Sequence, residues 1–291
     1  MSSTDATAAP APLHRPRAAA WLALGRVSNA PTVVANVVAG AWLATSAPDP
    51  AAVVLVATAM VCFYVAGMVL NDVLDVAIDS RQRRERPLVT GEVSLSAARW
   101  ATAALFGTGA ALLALTGTGA LLAGLVLIAL IFVYDAWHKG NPFAPVLMAG
   151  TRVMVYVVAF AAVAEARWES VALAALLLGG YVVGLTQIAR AARGAHWPIL
   201  LVLAPAAVFA WQLPSAAGLA ALAAFTLWST WTLVDLYRGG GVGAAVHRLI
   251  AGMALFDLVV LAVAGAPAEA SAVALIAFIA TTALQRRIAG D

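Results

Sequence analysis

The chain has 291 residues, of which 63% are hydrophobic and only 11% are charged, and its formal net charge is +3. A water-soluble domain of this length could not bury so much apolar surface, so the composition predicts a polytopic membrane protein. Cys62 is the single cysteine, which excludes an internal disulfide and a paired-cysteine metal site.

The N-terminal residues 1–20 are rich in Ala, Pro and Ser, which predicts a disordered cytoplasmic tail. The apolar piece that follows Arg17 is interrupted by Arg26 and Pro31 before it reaches a usable length, so it is not a convincing signal peptide. We expect the remaining residues, 21–291, to form one transmembrane domain.

Ten apolar segments follow, each about long enough to cross a hydrocarbon core of ~30 Å. They cover residues 30–46, 51–70, 97–115, 118–135, 143–164, 170–189, 197–213, 216–236, 247–264 and 269–285. Backbone groups in lipid must be satisfied internally, and no alternating ten-residue pattern indicates a barrel. The sequence therefore predicts an all-α helix bundle.

The basic residues are distributed unevenly between the loops. All of the 17 Lys and Arg residues except Arg152 and Arg167 lie in the N-terminal tail, in alternate loops with their flanking turns, or at the C-terminus. The positive-inside rule then places the N-terminus and the loops after segments two, four, six and eight in the cytoplasm. If the last segment also crosses, the chain makes ten crossings of the cell membrane and the C-terminus is cytoplasmic.

A cluster of oxygen side chains closes the second apolar segment: Asn71, Asp72, Asp75 and Asp79. In a helix, spacings of three and four bring these side chains close to one face. Such hard ligands suit Mg²⁺, which keeps several waters and bridges to the phosphates of a substrate. A basic run that includes Arg86 follows at once, and guanidinium forks fit phosphate oxygens. A solvated juxtamembrane loop is the alternative, but it explains the one-turn spacing less well.

The pattern N-D-x-x-D-x-x-x-D over residues 71–79, followed by Arg86-Pro87 and by Gly91, resembles the first signature of the UbiA superfamily of membrane prenyltransferases. The resemblance implies a bundle, typically of nine helices, around a central cavity that binds Mg²⁺ and a polyprenyl diphosphate at its cytoplasmic mouth. It also implies that Asp72 and Asp75 hold the ion, with Asn71 and Asp79 in support, and that Arg86 holds the diphosphate.

The loop after the fourth segment contains Tyr134 and Lys139, five positions apart. They resemble the Tyr/Lys pair that helps to hold the diphosphate in the same loop of the superfamily. Lys139 is the only lysine of the chain, and a lone lysine at a cytoplasmic helix end is also a common topology signal.

The loop after the sixth segment lacks the second acidic motif of the superfamily, since residues 181–196 contain no Asp or Glu. Thr186, Gln187, Arg190 and Arg193 occupy this stretch instead. An arginine cannot ligate a cation, but it can neutralise a diphosphate. Either Arg190 replaces the second metal and faces the first motif across the cavity, or the site no longer carries out the chemistry of the superfamily. Loss of the second motif alone is similar to the EboC-like branch.

Two ionisable side chains, Arg152 and Asp257, lie inside apolar segments. Each costs ~2.5–3.5 kcal/mol or more in lipid and normally faces a cavity or a partner. Arg152 follows Lys139 by about three helical turns, so we expect it to reach the cavity mouth and to meet a diphosphate or a carboxylate of the first motif. The alternative is a structural ion pair between Arg152 and Asp257.

These observations favour a Mg²⁺-dependent membrane prenyltransferase that acts on a prenyl diphosphate and an acceptor that the sequence does not identify. A non-catalytic lipid-binding or transport component with the same fold, and a terpene cyclase of the same type, stay open as alternatives. The expected partners are the bilayer and the substrates. No basic-aromatic nucleic-acid surface, zinc spacing, nucleophile elbow or dinucleotide fingerprint occurs, and no protein partner can be inferred.

Overall fold

The computed structural model describes residues 16–163, 168–191, 196–213 and 215–288, which form α-helices and one 3₁₀ turn without any strand. The helices are α1 Arg17–Leu24, α2 Ala30–Ala44, α3 Pro50–Gln82, α4 Leu95–Thr116, α5 Thr118–Trp137, α6 Ala144–Ala161, α7 Trp168–Ala191, α8 Trp197–Phe209, α9 Ala216–Tyr237, α10 Val242–Val263 and α11 Ala268–Gln285. The predicted all-α bundle is confirmed.

Helix starts follow from local capping chemistry. The Asp49 side chain accepts hydrogen bonds from the amides of Ala51 and Ala52, and Pro50 opens α3 with a φ angle that suits a helix. Ser94 and Ser215 cap α4 and α9 in the same way. Because these caps sit at the ends of apolar runs, they fix where these three membrane helices begin.

The first helix overlaps the segment that was predicted to be a disordered tail. Helix α1 includes residues 17–20, and its buried Ala20 and Leu24 pack in a small cluster with Val69 and Val93. The ordered part therefore begins before residue 21, because one apolar face of this short helix covers the side of α3. Residues 1–15 of the predicted tail lie outside the described residues.

In the described part of the chain, nine helices are long and apolar enough to cross a membrane, and α8 is shorter. Helix α8 has 13 residues and contains Pro205. Its start lies beside the end of α9, since the His196 and Tyr237 rings are 5.1 Å apart. Phe209, at its other end, lines a small cavity with Trp42, at the end of α2. Helix α8 therefore runs from one end of the bundle to the other although it is short.

Helices α2 to α11 consequently alternate in direction. Gln285, at the end of α11, donates from Nε2 to the Asn29 Oδ1 atom 2.8 Å away, next to the start of α2. The last helix therefore finishes at the end of the bundle where the first long helix begins, as ten traversals require. We call this the motif end, because α3 also finishes there with its acidic cluster. The ten predicted segments correspond to these ten helices.

Candidate functional site

A polar cavity of about 610 Å³ opens at the motif end, and we call it the polar mouth. Its charged lining consists of Arg26, Asp75, Asp79, Arg83, Glu85, Arg86, Asp135 and Lys139, and Asn71, Tyr134 and His138 complete most of the polar surface. These side chains come from the end of α3, from the α3–α4 loop, from the end of α5 and from the turn after α1. Four of the charged residues are basic and four are acidic, so the lining is close to neutral.

The predicted Tyr/Lys pair lies beside the first motif. The Lys139 Nζ atom is 2.6 Å from Oδ1 of Asp75, and the His138 Nε2 atom is 3.9 Å from its Oδ2. The Tyr134 ring stacks on the His138 ring, with centroids 5.1 Å apart and an interplanar angle of 21°. The turn after α5 therefore brings Lys139 and His138 against Asp75 of α3, and Tyr134 in the last turn of α5 stacks behind them.

Asp72 occupies a different environment from its motif neighbours. Its side chain is only 3% exposed, and it accepts from Arg26 Nη2 at 3.0 Å and from Arg86 Nη1 at 3.4 Å. It is not among the residues that line the polar mouth. Burial lowers the pKa of the Arg86 guanidinium, and the charge of Asp72 counteracts this shift. In this structure Asp72 anchors two arginines, whereas the sequence predicted that it holds an ion.

Arg26 is a site residue that the sequence did not reveal. It is the one described non-glycine residue with a positive φ, 43°, and its carbonyl accepts from the Tyr64 hydroxyl at 3.1 Å. Its Nη1 atom donates to the sulfur of Met68 at 3.2 Å, while Nη2 binds Asp72. The left-handed turn directs this side chain back into the bundle, and a turn conformation of this kind leaves little signal in a sequence.

Asp135 also enters the site unexpectedly. It is 5% exposed, and its Oδ1 atom accepts from Asn71 Nδ2 at 3.1 Å. Its Oδ2 atom has no hydrogen-bond partner among the residues that the structure describes. The sequence could have indicated Asp135 as a site residue, because it follows Tyr134 directly at the polar end of an apolar helix.

The donor chemistry of the polar mouth fits Mg²⁺. Within the described ranges, no group of three or more acidic, His or Cys side chains lies close enough together to enclose an ion. Mg²⁺ usually takes only one or two carboxylates and completes its shell with waters and substrate phosphates. Asp75 and Asp79, with the Asn71 amide beside them, line the mouth and supply such a partial set. Lys139 must release Asp75 Oδ1 before that oxygen can bind an ion.

An apolar cavity of about 340 Å³ lies deeper in the bundle, and we call it the apolar chamber. Its wall comes from α2, α3, α5, α6, α7 and α10, and it includes Val33, Phe63, Ile131, Val155, Leu185 and Met253. Five residues line both cavities: Arg26, Met68, Tyr134, Asp135 and Met148. The two spaces are therefore contiguous, and together they confirm the predicted central cavity.

The stretch where the superfamily carries its second acidic motif lies partly in the chamber wall and partly beside the loop that follows Lys139. We call this second part, where Arg190 meets Asn141, the rim of the mouth. Thr186 lines the apolar chamber and donates its hydroxyl to the Val182 carbonyl at 2.7 Å. Arg190 is exposed, and its Nη1 atom donates to the Asn141 carbonyl at 3.0 Å. Arg190 is not among the residues that line the two cavities, and its predicted position opposite the first motif stays a prediction. Arg193 lies outside the described residues.

Arg152 also departs from its predicted place. It lines the apolar chamber and is absent from the lining of the polar mouth, and its Nη2 atom donates to the Thr32 hydroxyl. Asp257 is fully buried and accepts from Tyr156 Oη and Asn36 Nδ2, each at 2.6 Å. The alternative prediction, a structural pair of Arg152 with Asp257, holds only as an attraction beyond ion-pair distance, because neutral donors occupy the carboxylate.

An acidic helix end above an apolar chamber, in a bundle of antiparallel membrane helices, is the architecture that the first motif predicted. The chain belongs to the UbiA prenyltransferase family, whose family model matches residues 33–282. Over 259 residues the chain is 30% identical to the digeranylgeranylglyceryl phosphate synthase of Methanoculleus marisnigri. The aligned region covers 83% of this chain and 84% of that protein.

Solved structures show the same fold at lower identity. A UbiA homologue from Archaeoglobus fulgidus bound to GPP and Mg²⁺ matches with a TM-score of 0.62 and 18% identity, over 84% of this chain and 99% of that one. A UbiA homologue from Aeropyrum pernix in its apo form matches with a TM-score of 0.51 and 21% identity, over 87% and 95% of the two chains. The recognition of the family from residues 71–79 is confirmed.

Proposed function

We propose that this protein is a Mg²⁺-dependent membrane prenyltransferase that moves a prenyl group from a prenyl diphosphate to an acceptor. The observation that carries the proposal is the continuity of the polar mouth with the apolar chamber through their shared wall. A prenyl diphosphate has the same two parts, an anionic head and an apolar tail. The relative from Methanoculleus marisnigri and the GPP and Mg²⁺ complex of the Archaeoglobus fulgidus homologue support this reading.

The diphosphate head would bind at the boundary of the two cavities. Arg26, Arg86 and Lys139 line the mouth and can donate charge-assisted hydrogen bonds to phosphate oxygens. Tyr134 lines both cavities, so its phenol would lie beside the junction of the head group and the tail. Lys139 would exchange its contact with Asp75 for one with a phosphate, so that substrate binding frees the carboxylate.

Transfer would begin when the bond between the allylic carbon and the diphosphate oxygen breaks and its electron pair leaves on that oxygen. Preorganised positive charge stabilises the departing diphosphate, and this is the main catalytic contribution of Arg26, Arg86 and Lys139. Bound Mg²⁺, held by Asp75 and Asp79 with Asn71 in support, would supply further Lewis-acid stabilisation. The apolar chamber would keep water away from the allylic cation until the acceptor attacks it.

The absence of the second acidic motif is compatible with this chemistry. The stretch that would hold another ion has no acidic side chain here, and its Thr186 and Ala189 contribute to the chamber wall. The mouth instead carries four basic side chains, and Arg190 hydrogen-bonds to the loop that follows Lys139. Fixed cationic side chains would therefore replace part of the lost charge. We place the mouth on the cytoplasmic side of the cell membrane, because the basic loops lie at the motif end.

The test is diphosphate release by the purified full-length protein with geranyl diphosphate, in the presence of Mg²⁺ or of a chelator. Mg²⁺-dependent release that increases when a lipid extract is added, with a prenylated lipid as product, supports the proposal. Release of a cyclised hydrocarbon without an acceptor identifies a terpene cyclase. Tight binding without any release identifies a lipid-binding component, and absence of binding contradicts all three.

A further inference from the structure

The position of Arg152 in the fold does not suit a role at the diphosphate. Helix α6 begins at Ala144, so Arg152 lies about 12 Å along the helix from its start at the motif end. Its side chain contributes to the wall of the apolar chamber and not to that of the polar mouth. A guanidinium thus faces a space whose wall is mainly apolar.

The charge of Arg152 has no direct counter-ion in the described part of the chain. Its hydrogen bond to the Thr32 hydroxyl is the only one that it makes to a described residue, and its Nε atom has no partner. Asp257 attracts it from beyond ion-pair distance, while Tyr156 and Asn36 occupy the carboxylate oxygens. Because a charge in a low-dielectric bundle is costly unless it is paired, this guanidinium favours an anion in the chamber.

The prenyl donor does not account for this arrangement. An isoprenoid tail has no group that a guanidinium can bind, and a positive charge near an allylic cation opposes its formation. The neighbouring wall adds further polar groups, namely Asn29, Thr32 and Thr151. The hydroxyls of Thr32 and Thr151 already donate to the carbonyls of Asn29 and Met148. The group that remains for a second ligand is therefore the Arg152 guanidinium, whose Nε has no partner among the described residues.

We infer that Arg152 binds the anionic group of the acceptor, and that the acceptor is an amphipathic molecule with a carboxylate or a phosphate. Its apolar body would occupy the chamber beside the prenyl tail, while the anion pairs with the guanidinium. This inference rests on the proposed function, and it names the chemical class of the second substrate. It also explains why the chamber of this chain contains a cation at a depth where the donor needs none.

The probes for this site are hexanoate and hexyl phosphate, with hexanamide as the neutral counterpart of hexanoate. Binding to the detergent-purified full chain is measured by titration calorimetry. We expect the protein to bind at least one anion more than tenfold more tightly than hexanamide, and the stronger of the two identifies the carboxylate or the phosphate. Arg152→Gln should abolish this preference. Arg248→Gln is the matched control, because Arg248 pairs with Asp235 at 2.6 Å and does not line either cavity.

Donor binding separates this inference from the proposed function. Geranyl S-thiolodiphosphate with Mg²⁺ should bind Arg152→Gln and the unchanged protein with equal affinity. If Arg152→Gln weakens the thiolodiphosphate instead, Arg152 belongs to the diphosphate site and the inference is overturned. It is also overturned if the unchanged protein binds the thiolodiphosphate but shows no preference for either anion. If the thiolodiphosphate itself does not bind, the proposed function fails.

A conservative variant covers the case in which Arg152→Gln does not fold. Arg152→Lys keeps the charge and loses the guanidinium fork, so we expect it to bind the preferred anion only about threefold more weakly. Equal affinity of Arg152→Lys for the anion and for hexanamide would overturn the inference.

Discussion

The polar mouth and the apolar chamber share five wall residues, yet they are built in opposite ways. Most of the mouth comes from three short stretches of sequence: the end of α3 with the loop that follows it, the end of α5 with its turn, and Arg26. The chamber takes its wall from six helices that are distant in sequence. Charge chemistry is therefore local in this chain, whereas the shape that receives the substrate tail is a property of the whole bundle.

This contrast leads to different expectations for substitutions. A change in the mouth removes a charge that acts directly on the diphosphate or on its ion, so it should affect turnover strongly. A change of an apolar residue in the chamber alters the space for apolar groups, so it should affect the choice between substrates more than the rate itself. The predictions below run from the mouth, where the largest effects are expected, to its rim.

Asp75→Asn should produce the largest loss. It keeps the size of the side chain but removes the carboxylate that lines the mouth and now pairs with Lys139 at 2.6 Å. We expect diphosphate release to fall by about 10²–10³-fold, the range for the loss of one preorganised electrostatic contact. The matched control is Asp49→Asn at the other end of α3, where either residue caps the helix well. Equal activity of the two variants would contradict the assignment of the mouth.

Asp72→Asn should act mainly on stability. The buried Asp72 carboxylate pairs with both Arg26 and Arg86, and removal of one partner from a buried ion pair costs about 3 kcal/mol or more. We expect a lower unfolding midpoint and weaker donor binding, with the Mg²⁺ concentration for half-maximal activity unchanged. A large rise in that concentration would instead show that Asp72 holds the ion, as the sequence predicted.

The difference between Asp72 and Asp75 shows which features of the site could be predicted from the sequence: the positions of the carboxylates, but not their partners. The acidic residues lie at the end of α3, as their three- and four-residue spacings predicted, and Lys139 lies beside Asp75. In the described part of the chain, however, no three acidic, His or Cys side chains come close enough to share an ion. The pairing partners of the acidic residues were not predictable in the same way. Arg26 lies 46 positions from Asp72, and its basic charge already had a sufficient explanation as a topology signal.

The chamber was less accessible to prediction for a physical reason. Its lining residues are ordinary apolar side chains, and only helix packing decides which of them face the cavity. Arg152 was expected to reach the cavity mouth, but it lines the chamber, because its depth along α6 puts it below the mouth. The length of α8 was also overestimated at 197–213, because the helix ends at Phe209, four residues beyond Pro205.

Val182→Phe tests whether the apolar chamber holds the prenyl tail and thereby selects between donors. Val182 is buried in α7 and lines the chamber, so a larger side chain there should shorten the space for a prenyl tail. We expect kcat/KM for geranyl diphosphate to fall about tenfold relative to dimethylallyl diphosphate, measured by competition between the two donors. Leu176→Phe, on the same helix but 73% exposed, is the matched control. An equal loss for both donors would mean that the tail binds elsewhere.

Arg190→Ala should give the smallest effect. It tests whether Arg190 supports the polar mouth through the loop that follows Lys139 or by binding the diphosphate itself. Arg190 donates to the Asn141 carbonyl at 3.0 Å, two residues after Lys139, and its side chain is exposed. We expect donor affinity to fall by about fivefold, equivalent to about 1 kcal/mol, because one partly exposed hydrogen bond to a loop is lost.

A double-mutant cycle with Lys139→Ala identifies the route of this effect. If Arg190 acts by holding the loop that carries Lys139, its loss should matter little once Lys139 is absent, and the two free-energy changes will not add. If Arg190 binds the diphosphate directly, as the position of the missing second motif suggested, the changes should add to within about 0.5 kcal/mol. Additivity would therefore mean that Arg190 belongs to the polar mouth and that the diphosphate is bound by cations on both sides of the opening. Strong coupling would mean that only the basic side chains that line the mouth in this structure bind the diphosphate.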